Sequence, residues 1–238
     1  MNYTVIFAGG VGVRMGSTTP KQFLKVGGKP IIIHVLEKFS NHPEIDGIVV
    51  VCKEEYIDEC RDYIKEFGIG RVLDVIAGGE TGQLSIRNGV EYLVRNVSKE
   101  NVSGEDRDIV LVHDGVRPII TGELISACIK GVKEHGNCIA ASHAIETVIT
   151  VNEDGSLKEI EDRSLCRNAK APQCFYLDDL WDAHRKAAAE GITNMIDSAM
   201  LMSRYGHLLY TTECSPDNIK ITTPNDYYML KGMYEKPE

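Results

Sequence analysis

The chain has 238 residues, of which 43% are apolar, and a formal net charge of −9. That suffices for one globular α/β domain with a substantial core, and it argues against general nucleic-acid binding, which needs a basic face. No stretch reaches the length of a membrane span, the first apolar run is too short for a secretory signal, and the seven cysteines are scattered without a Cys-x-x-Cys pair. They read as reduced packing residues of a cytoplasmic protein, not as a disulfide framework or zinc site.

Tyr3–Ala8 reads as a strand that runs into Ala8-Gly9-Gly10-Val11-Gly12-Val13-Arg14-Met15-Gly16, with Pro20-Lys21-Gln22 close behind. Glycines let a backbone approach phosphates, and cations neutralise the charge that grows as a phosphoryl bond breaks. The loop is not a dinucleotide fingerprint, because Gly10-x-Gly12-x-x ends on Met15, and no Gly-Lys-Ser/Thr makes it an ATPase P-loop. Its two readings are a polyphosphate cradle using Arg14 and Lys21, or a tight turn with solvated charges.

Further along, Pro30–Phe39 reads as a helix, Gly47–Cys52 as a buried strand, Glu54–Phe67 as an amphipathic helix and Val72–Ala77 as a strand. Gln83–Val97 follows as a helix, Asp108–His113 as a strand, and a helix runs from about Thr121 to Glu134. This alternation predicts an α/β fold of three layers, with a mostly parallel twisted sheet and helices on both faces. In such sheets ligands bind beyond the carboxyl ends of the strands. The glycine loop, Gly78-Gly79 and Asp114 all fall at such ends.

Asp114, just past a buried strand, suits Mg²⁺ held against nucleotide phosphates, or else caps the next turn. Arg117 three residues on favours a phosphate site, since its planar fork matches phosphate oxygens. His113 reads as a packed strand residue. Gly78-Gly79-Glu80 and Ser85 either line a base pocket or form an ordinary loop and helix cap. Lys220, in Asn218-Ile219-Lys220-Ile221-Thr222, is by itself a surface lysine.

The rhythm breaks after Ala141. Thr147–Val151 and Leu157–Ile160 flank the turn signal Asn152-Glu153-Asp154-Gly155, an arm at about 145–170. It is either a surface hairpin or an element shared between subunits, and the second is favoured because an isolated hairpin is marginally stable. Leu177–Glu190 and Asn194–Tyr205 read as helices, Asn218–Thr222 as a strand, and a last helix starts at Pro224. With no repeat or linker, residues 1–238 form one domain.

Together, the glycine loop with Pro20-Lys21-Gln22, Gly78-Gly79…Ser85, His113-Asp114-Gly115-Val116-Arg117-Pro118, Ala171-Pro172-Gln173 and Ile219-Lys220-Ile221-Thr222 resemble the cytidylyltransferases that act on methylerythritol phosphate or ribitol 5-phosphate. The resemblance spans nearly the whole chain. It implies a Rossmann-type fold like that of nucleotide-diphospho-sugar transferases, CTP as co-substrate with Mg²⁺ or another divalent cation, and a homodimer joined through the arm; the composition already argues for a cytoplasmic protein with no nucleic-acid or membrane partner. By that resemblance Arg14, Lys21 and Lys220 grip the triphosphate and stabilise the transition state. Ala8, Gly9, Gly10, Gly78, Gly79, Glu80, Ser85 and Gly115 line the cytidine pocket. Asp114 serves the metal and the acceptor; Arg117, Thr147 and Arg163 hold the polyol phosphate.

Three departures bear on the acceptor. The loop begins Ala8-Gly9-Gly10, the form usual in the ribitol-phosphate enzymes, where the methylerythritol enzymes begin Ala-Ala-Gly. Ala171 stands where both often carry threonine. Glu80-Thr81-Gly82-Gln83-Leu84 lacks the arginine of the methylerythritol pattern. The first of these and Thr222-Thr223-Pro224 favour D-ribitol 5-phosphate, with transfer giving CDP-ribitol for teichoic acid or capsule synthesis. The alternative is 2-C-methyl-D-erythritol 4-phosphate, on the route to isoprenoid precursors.

Overall fold

The structure is a computed structural model that describes residues 1–9, 19–98 and 107–234. Its strands are β1 (Asn2–Ala8), β2 (Lys25–Val26), β3 (Lys29–Pro30), β4 (Gly47–Cys52), β5 (Val72–Ala77), β6 (Ile109–Asp114), β7 (Asn137–His143), β8 (Ile149–Val151), β9 (Leu157–Ile160), β10 (Arg167–Tyr176) and β11 (Thr211–Glu213). The helices are α1 (Ile31–Ser40), α2 (Ile57–Glu66), α3 (Gly82–Asn96), α4 (Gly122–His135), α5 (Leu177–Ala189), α6 (Ser198–Arg204) and α7 (Pro224–Tyr234).

Because successive side chains of a strand point to opposite faces, the apolar runs feed two cores at once. Ile6, Ile48, Val50, Ile109 and Leu111 pack on one face with α1, α2 and α4. Val5, Val49, Val51, Val110 and Val112 pack on the other with α3, α5 and α6. The sheet is thus the middle of three layers, and strands buried on both faces read as near-continuous β-branched runs. A smaller cluster of Val26, Ile31, Val116, Ile221 and Leu230 seats α7 beside the main body.

Seven strands lie in the order β11-β7-β10-β6-β1-β4-β5. The pairs β1–β4, β1–β6, β4–β5 and β7–β11 are parallel, and β10 runs antiparallel to both β6 and β7. β8 and β9 form a separate two-stranded ribbon. No helix among the described residues is long and apolar enough to cross a membrane. All seven cysteines are free, and every one but Cys166 is buried.

Three local readings are corrected. Asn218–Thr222 is irregular backbone: Ile221 N–H donates to Val116 O at 2.9 Å, and its side chain is buried in the small cluster, which accounts for the alternating pattern without a ladder. The helix expected over Asn194–Tyr205 begins only at Ser198, where the Asp197 carboxylate accepts Met200 N–H. Ser85 does not open α3; Thr81 is the N-cap and accepts Leu84 N–H. The sequence reading also left out β7, β11, the short β2–β3 pair and β10, whose pairing with β7 shifts register between Ala169 and Gln173, around Pro172.

Candidate active site

From β1 the chain proceeds to β4 and β5 on one side, and then places β6 on the other. The strand order therefore reverses between β1 and β6, and ligands of open α/β sheets bind outside the carboxyl ends at such a reversal. Ala8 and Asp114 end those two strands. Two cavities open there, sharing Phe7, Gly82, Asp114 and Lys220.

The first cavity, about 350 Å³, is lined by Ala8, Gly9, Lys21, Gln22, Gly79, Glu80, Thr81, Ser85 and Val116 besides the shared residues. Lys21 is buried on a single 3₁₀ turn anchored by Phe23, whose ring lies 5.7 Å from those of both Tyr56 and Tyr63. The Ser85 hydroxyl accepts Gly79 N–H at 3.1 Å and donates back to Thr81 O at 2.9 Å, which fixes the loop against α3. Gly79 has to be glycine: a Cβ there would lie 2.4 Å from that of Leu84. Gly78 and Gly115 stand behind this wall, with their N–H groups donated to Cys52 O and Phe7 O. Gly10 and Arg14 lie outside the described residues.

Asp114 is the centre of charge. Its Oδ2 accepts Arg117 Nε at 2.8 Å and its Oδ1 lies 2.5 Å from Lys220 Nζ. Burial would push this carboxyl up, but Lys220 and Arg117 outweigh it and hold the group below the usual carboxylate range. The trio carries one net positive charge beside Lys21, the local cationic site that an acidic protein needs for an anionic substrate. His113 is packed against Phe39, with Nε2 against Arg117 O at 3.1 Å, and burial lowers its pKa to about 4. It stays neutral, and the reading of a packed strand residue holds.

The second cavity, about 320 Å³, adds Ile86, Val112, Arg117, Ala169, Lys170, Ala171, Gln173, Ile196, Asp197 and Ser198. Thr147 and Arg163 line neither cavity. Both are exposed on the arm, where Arg163 Nη1 donates to Ile145 O at 3.2 Å. Lys170, Gln173 and Asp197 escaped the sequence reading as site residues. Gln173 stood in a quoted motif, and Asp197 precedes a helix start, which is a capping signal and not a ligand signal.

A family model described as IspD: 2-C-methyl-D-erythritol 4-phosphate cytidylyltransferase matches residues 3–234. The chain belongs to this family of cytidylyltransferases. It is 46% identical to the ribitol-5-phosphate cytidylyltransferase of Streptococcus agalactiae serotype III, over 100% of this chain and 97% of that protein. It is 45% identical to the one of Vibrio parahaemolyticus, over 100% and 98%. A 2-C-methyl-D-erythritol 4-phosphate cytidylyltransferase of Clostridium botulinum is 35% identical over 99% and 98%. Among solved structures, the 2-C-methyl-D-erythritol 4-phosphate cytidylyltransferase of Francisella tularensis superposes with a TM-score of 0.76 at 28% identity, covering 96% of this chain and 97% of that one. The 4-diphosphocytidyl-2C-methyl-D-erythritol synthase of Anaerococcus prevotii shares the fold with a TM-score of 0.82, over 99% and 96%. The family makes this chain an enzyme of the nucleotidyltransferase class and places it on a CTP-dependent cytidylyl transfer.

Among the described residues no three His, Cys, Asp or Glu side chains gather as a metal-binding cluster. Mg²⁺ is commonly held by one or two carboxylates plus substrate phosphates. Asp114 fits that use, since each carboxylate oxygen keeps a lone pair beyond its present partner.

Proposed function

We propose that this protein transfers the cytidylyl group of CTP to D-ribitol 5-phosphate, giving CDP-ribitol and pyrophosphate. The observation that carries this reading is the full-length identity of 45–46% to proteins named for ribitol 5-phosphate, against 34–35% for those named for methylerythritol 4-phosphate. The second acceptor stays as the runner-up because the matching family model is described by it.

In this reading CTP occupies the cavity of Lys21, Gly79 and Ser85, and the acceptor occupies the neighbouring one. A phosphate oxygen of the acceptor attacks the α-phosphorus in line; that O–P bond forms as the bond to the β-phosphate oxygen breaks, and pyrophosphate leaves. A phosphate monoester is already anionic near neutral pH, so no general base is required. Positioning and charge neutralisation by Lys21, Lys220 and Arg14 carry the rate. Asp114 is the residue that would hold a divalent cation, which when bound neutralises phosphate charge. Arg117 faces the acceptor phosphate, and Thr147 and Arg163 reach it from the arm of a second subunit in a homodimer. Cytosolic CTP and reduced thiols fit a cytoplasmic enzyme, and CDP-ribitol fits supply of a ribitol-containing surface polymer such as teichoic acid or capsule.

The test is pyrophosphate release from CTP and Mg²⁺ with ribitol 5-phosphate, methylerythritol 4-phosphate and glycerol phosphate side by side. A higher kcat/KM for ribitol 5-phosphate is expected. A preference for methylerythritol 4-phosphate would replace the acceptor and leave the phosphoryl chemistry in place.

A further inference from the structure

The lining of the acceptor cavity combines charges of both signs. Arg117 and Lys220 are cationic, Asp197 is anionic beside the polar Gln173 and Ser198, and Phe7, Ile86 and Val112 are apolar. The Asp197 carboxylate is held in place: Gln173 Nε2 donates to its Oδ2 at 2.9 Å, and Met200 N–H donates to its Oδ1 at 2.8 Å. Gln173 is itself locked, being buried on β10 with its Oε1 accepting Ala199 N–H at 2.9 Å. Lys170, the other cation of this cavity, donates to Pro216 O at 2.8 Å and Asn218 O at 3.3 Å, so its bonds go to the loop before Lys220. Next to Asp197, Ser198 is 2% exposed and its Oγ has no hydrogen-bond partner among the described residues. Buried hydroxyls are normally paired, so this Oγ is a polar atom beside Asp197 that the described residues leave unsatisfied.

From this arrangement we propose that Asp197, positioned by Gln173, is a specificity residue: it accepts hydrogen bonds from the hydroxyl end of the acceptor and excludes acceptors with a second anion there. The proposal rests on the polyol phosphate reading above. A carboxylate is an acceptor only, and it suits chain hydroxyls that can donate. Hydrogen bonds to a charged acceptor are the stronger kind, and a fixed carboxylate opposite a second negative group is repulsive, so one residue supplies both the attractive and the excluding element. Ala171, on the same cavity, leaves out the side-chain hydroxyl that would otherwise compete for those contacts.

The experiment compares ribitol 5-phosphate with ribonate 5-phosphate, which carries a carboxylate in place of the terminal hydroxymethyl group, by pyrophosphate release in the full-length protein. Wild type is expected to prefer ribitol 5-phosphate by at least about 100-fold. Asp197→Asn is expected to lower its kcat/KM about tenfold, to leave the KM for CTP unchanged, and to shrink the preference over ribonate 5-phosphate by at least about tenfold. Asp197→Ser keeps an N-cap for α6 while removing the charge, so it should show the same shift even if the asparagine variant folds poorly. An unchanged preference in a folded variant overturns the proposal. If wild type instead turns over only methylerythritol 4-phosphate, the acceptor reading fails. Asp197 is then judged by that acceptor: a tenfold loss of kcat/KM at constant KM for CTP supports it, and no loss overturns it.

Discussion

Asn218 joins the cations of the site. It is 1% exposed, its carbonyl accepts Arg117 Nη1 at 2.7 Å and Lys170 Nζ at 3.3 Å, and its side-chain amide donates to Ala171 O at 2.7 Å. Lys220 stands two residues on, against Asp114, and Ile221 is pinned by Val116. Asn218 therefore acts as a positioning residue that fastens the Lys220 loop to β10. Removing a single transition-state donor typically costs 10²–10³ in kcat, so Lys220→Ala should lose about that much. Asn218→Ala should lose about tenfold in kcat with the KM for CTP little changed. In a Lys220→Ala background the same change should cost less than about twofold, because residues acting through one group are not additive. Additive losses would mean that Asn218 supports the fold alone. Gly9 gives the opposite result: among the described residues a Cβ there would meet only Ser85 Oγ at 3.5 Å, an ordinary contact. Gly9→Ala should therefore fold and keep the wild-type acceptor ranking in the pyrophosphate assay; a switch of ranking would give Gly9 the discriminating role that the loop pattern implied for it.

At the scale of elements, α5 carries a buried histidine with an energetic consequence. Neither ring nitrogen of His184 has a partner among the described residues, and burial lowers its pKa to about 4 from the usual 6.5. Above pH 6.5 it is neutral in both folded and unfolded chains, so its titration takes nothing from stability there. As the pH falls below 6.5 the unfolded chain gains a proton that the folded one does not, so stability declines until pH reaches about 4. At pH 5 the loss is about 2 kcal/mol. His184→Leu should remove about that much of the difference between urea unfolding at pH 7.5 and at pH 5, and a variant as acid-sensitive as wild type would show that His184 is protonated without penalty. The same burial explains what the sequence made legible. β1, β4, β5 and β6 could be read because parallel strands covered on both faces are continuous apolar runs, and their carboxyl ends then located Gly79, Lys21 and Asp114. β10 was obscured by Pro172 and its irregular pairing, and β11 by its three polar residues, Thr211, Thr212 and Glu213. Asp197 and Lys170 were not legible as site residues because they reach the cavity from the far end of the chain, through tertiary packing that no local pattern records.

For the molecule as a whole, the arm is the part that a single subunit leaves unexplained. Ile149, Val151, Leu157 and Ile160 are each about half exposed or more on an isolated two-stranded ribbon, an arrangement that is marginal in water by itself. Ile196, on the lining of the proposed acceptor cavity, is 83% exposed. Thr147 and Arg163 share the arm, with side chains suited to a phosphate, and line neither of the two cavities described above. The homodimer proposed above would meet all of these needs at once: a second copy would cover the apolar ribbon, and its arm would bring Arg163 to the neighbouring site. On that proposal Lys21 and Arg163 would belong to one site but to different subunits. Lys21→Ala and Arg163→Ala should each be nearly inactive alone. After subunit exchange half of the dimers are mixed, and each mixed dimer has one intact site of its two, so activity should return to about a quarter of wild type. If both residues served a site within one subunit, every site would lack one of them. No mixing ratio would then restore turnover, and the arm would need an explanation other than catalysis in trans.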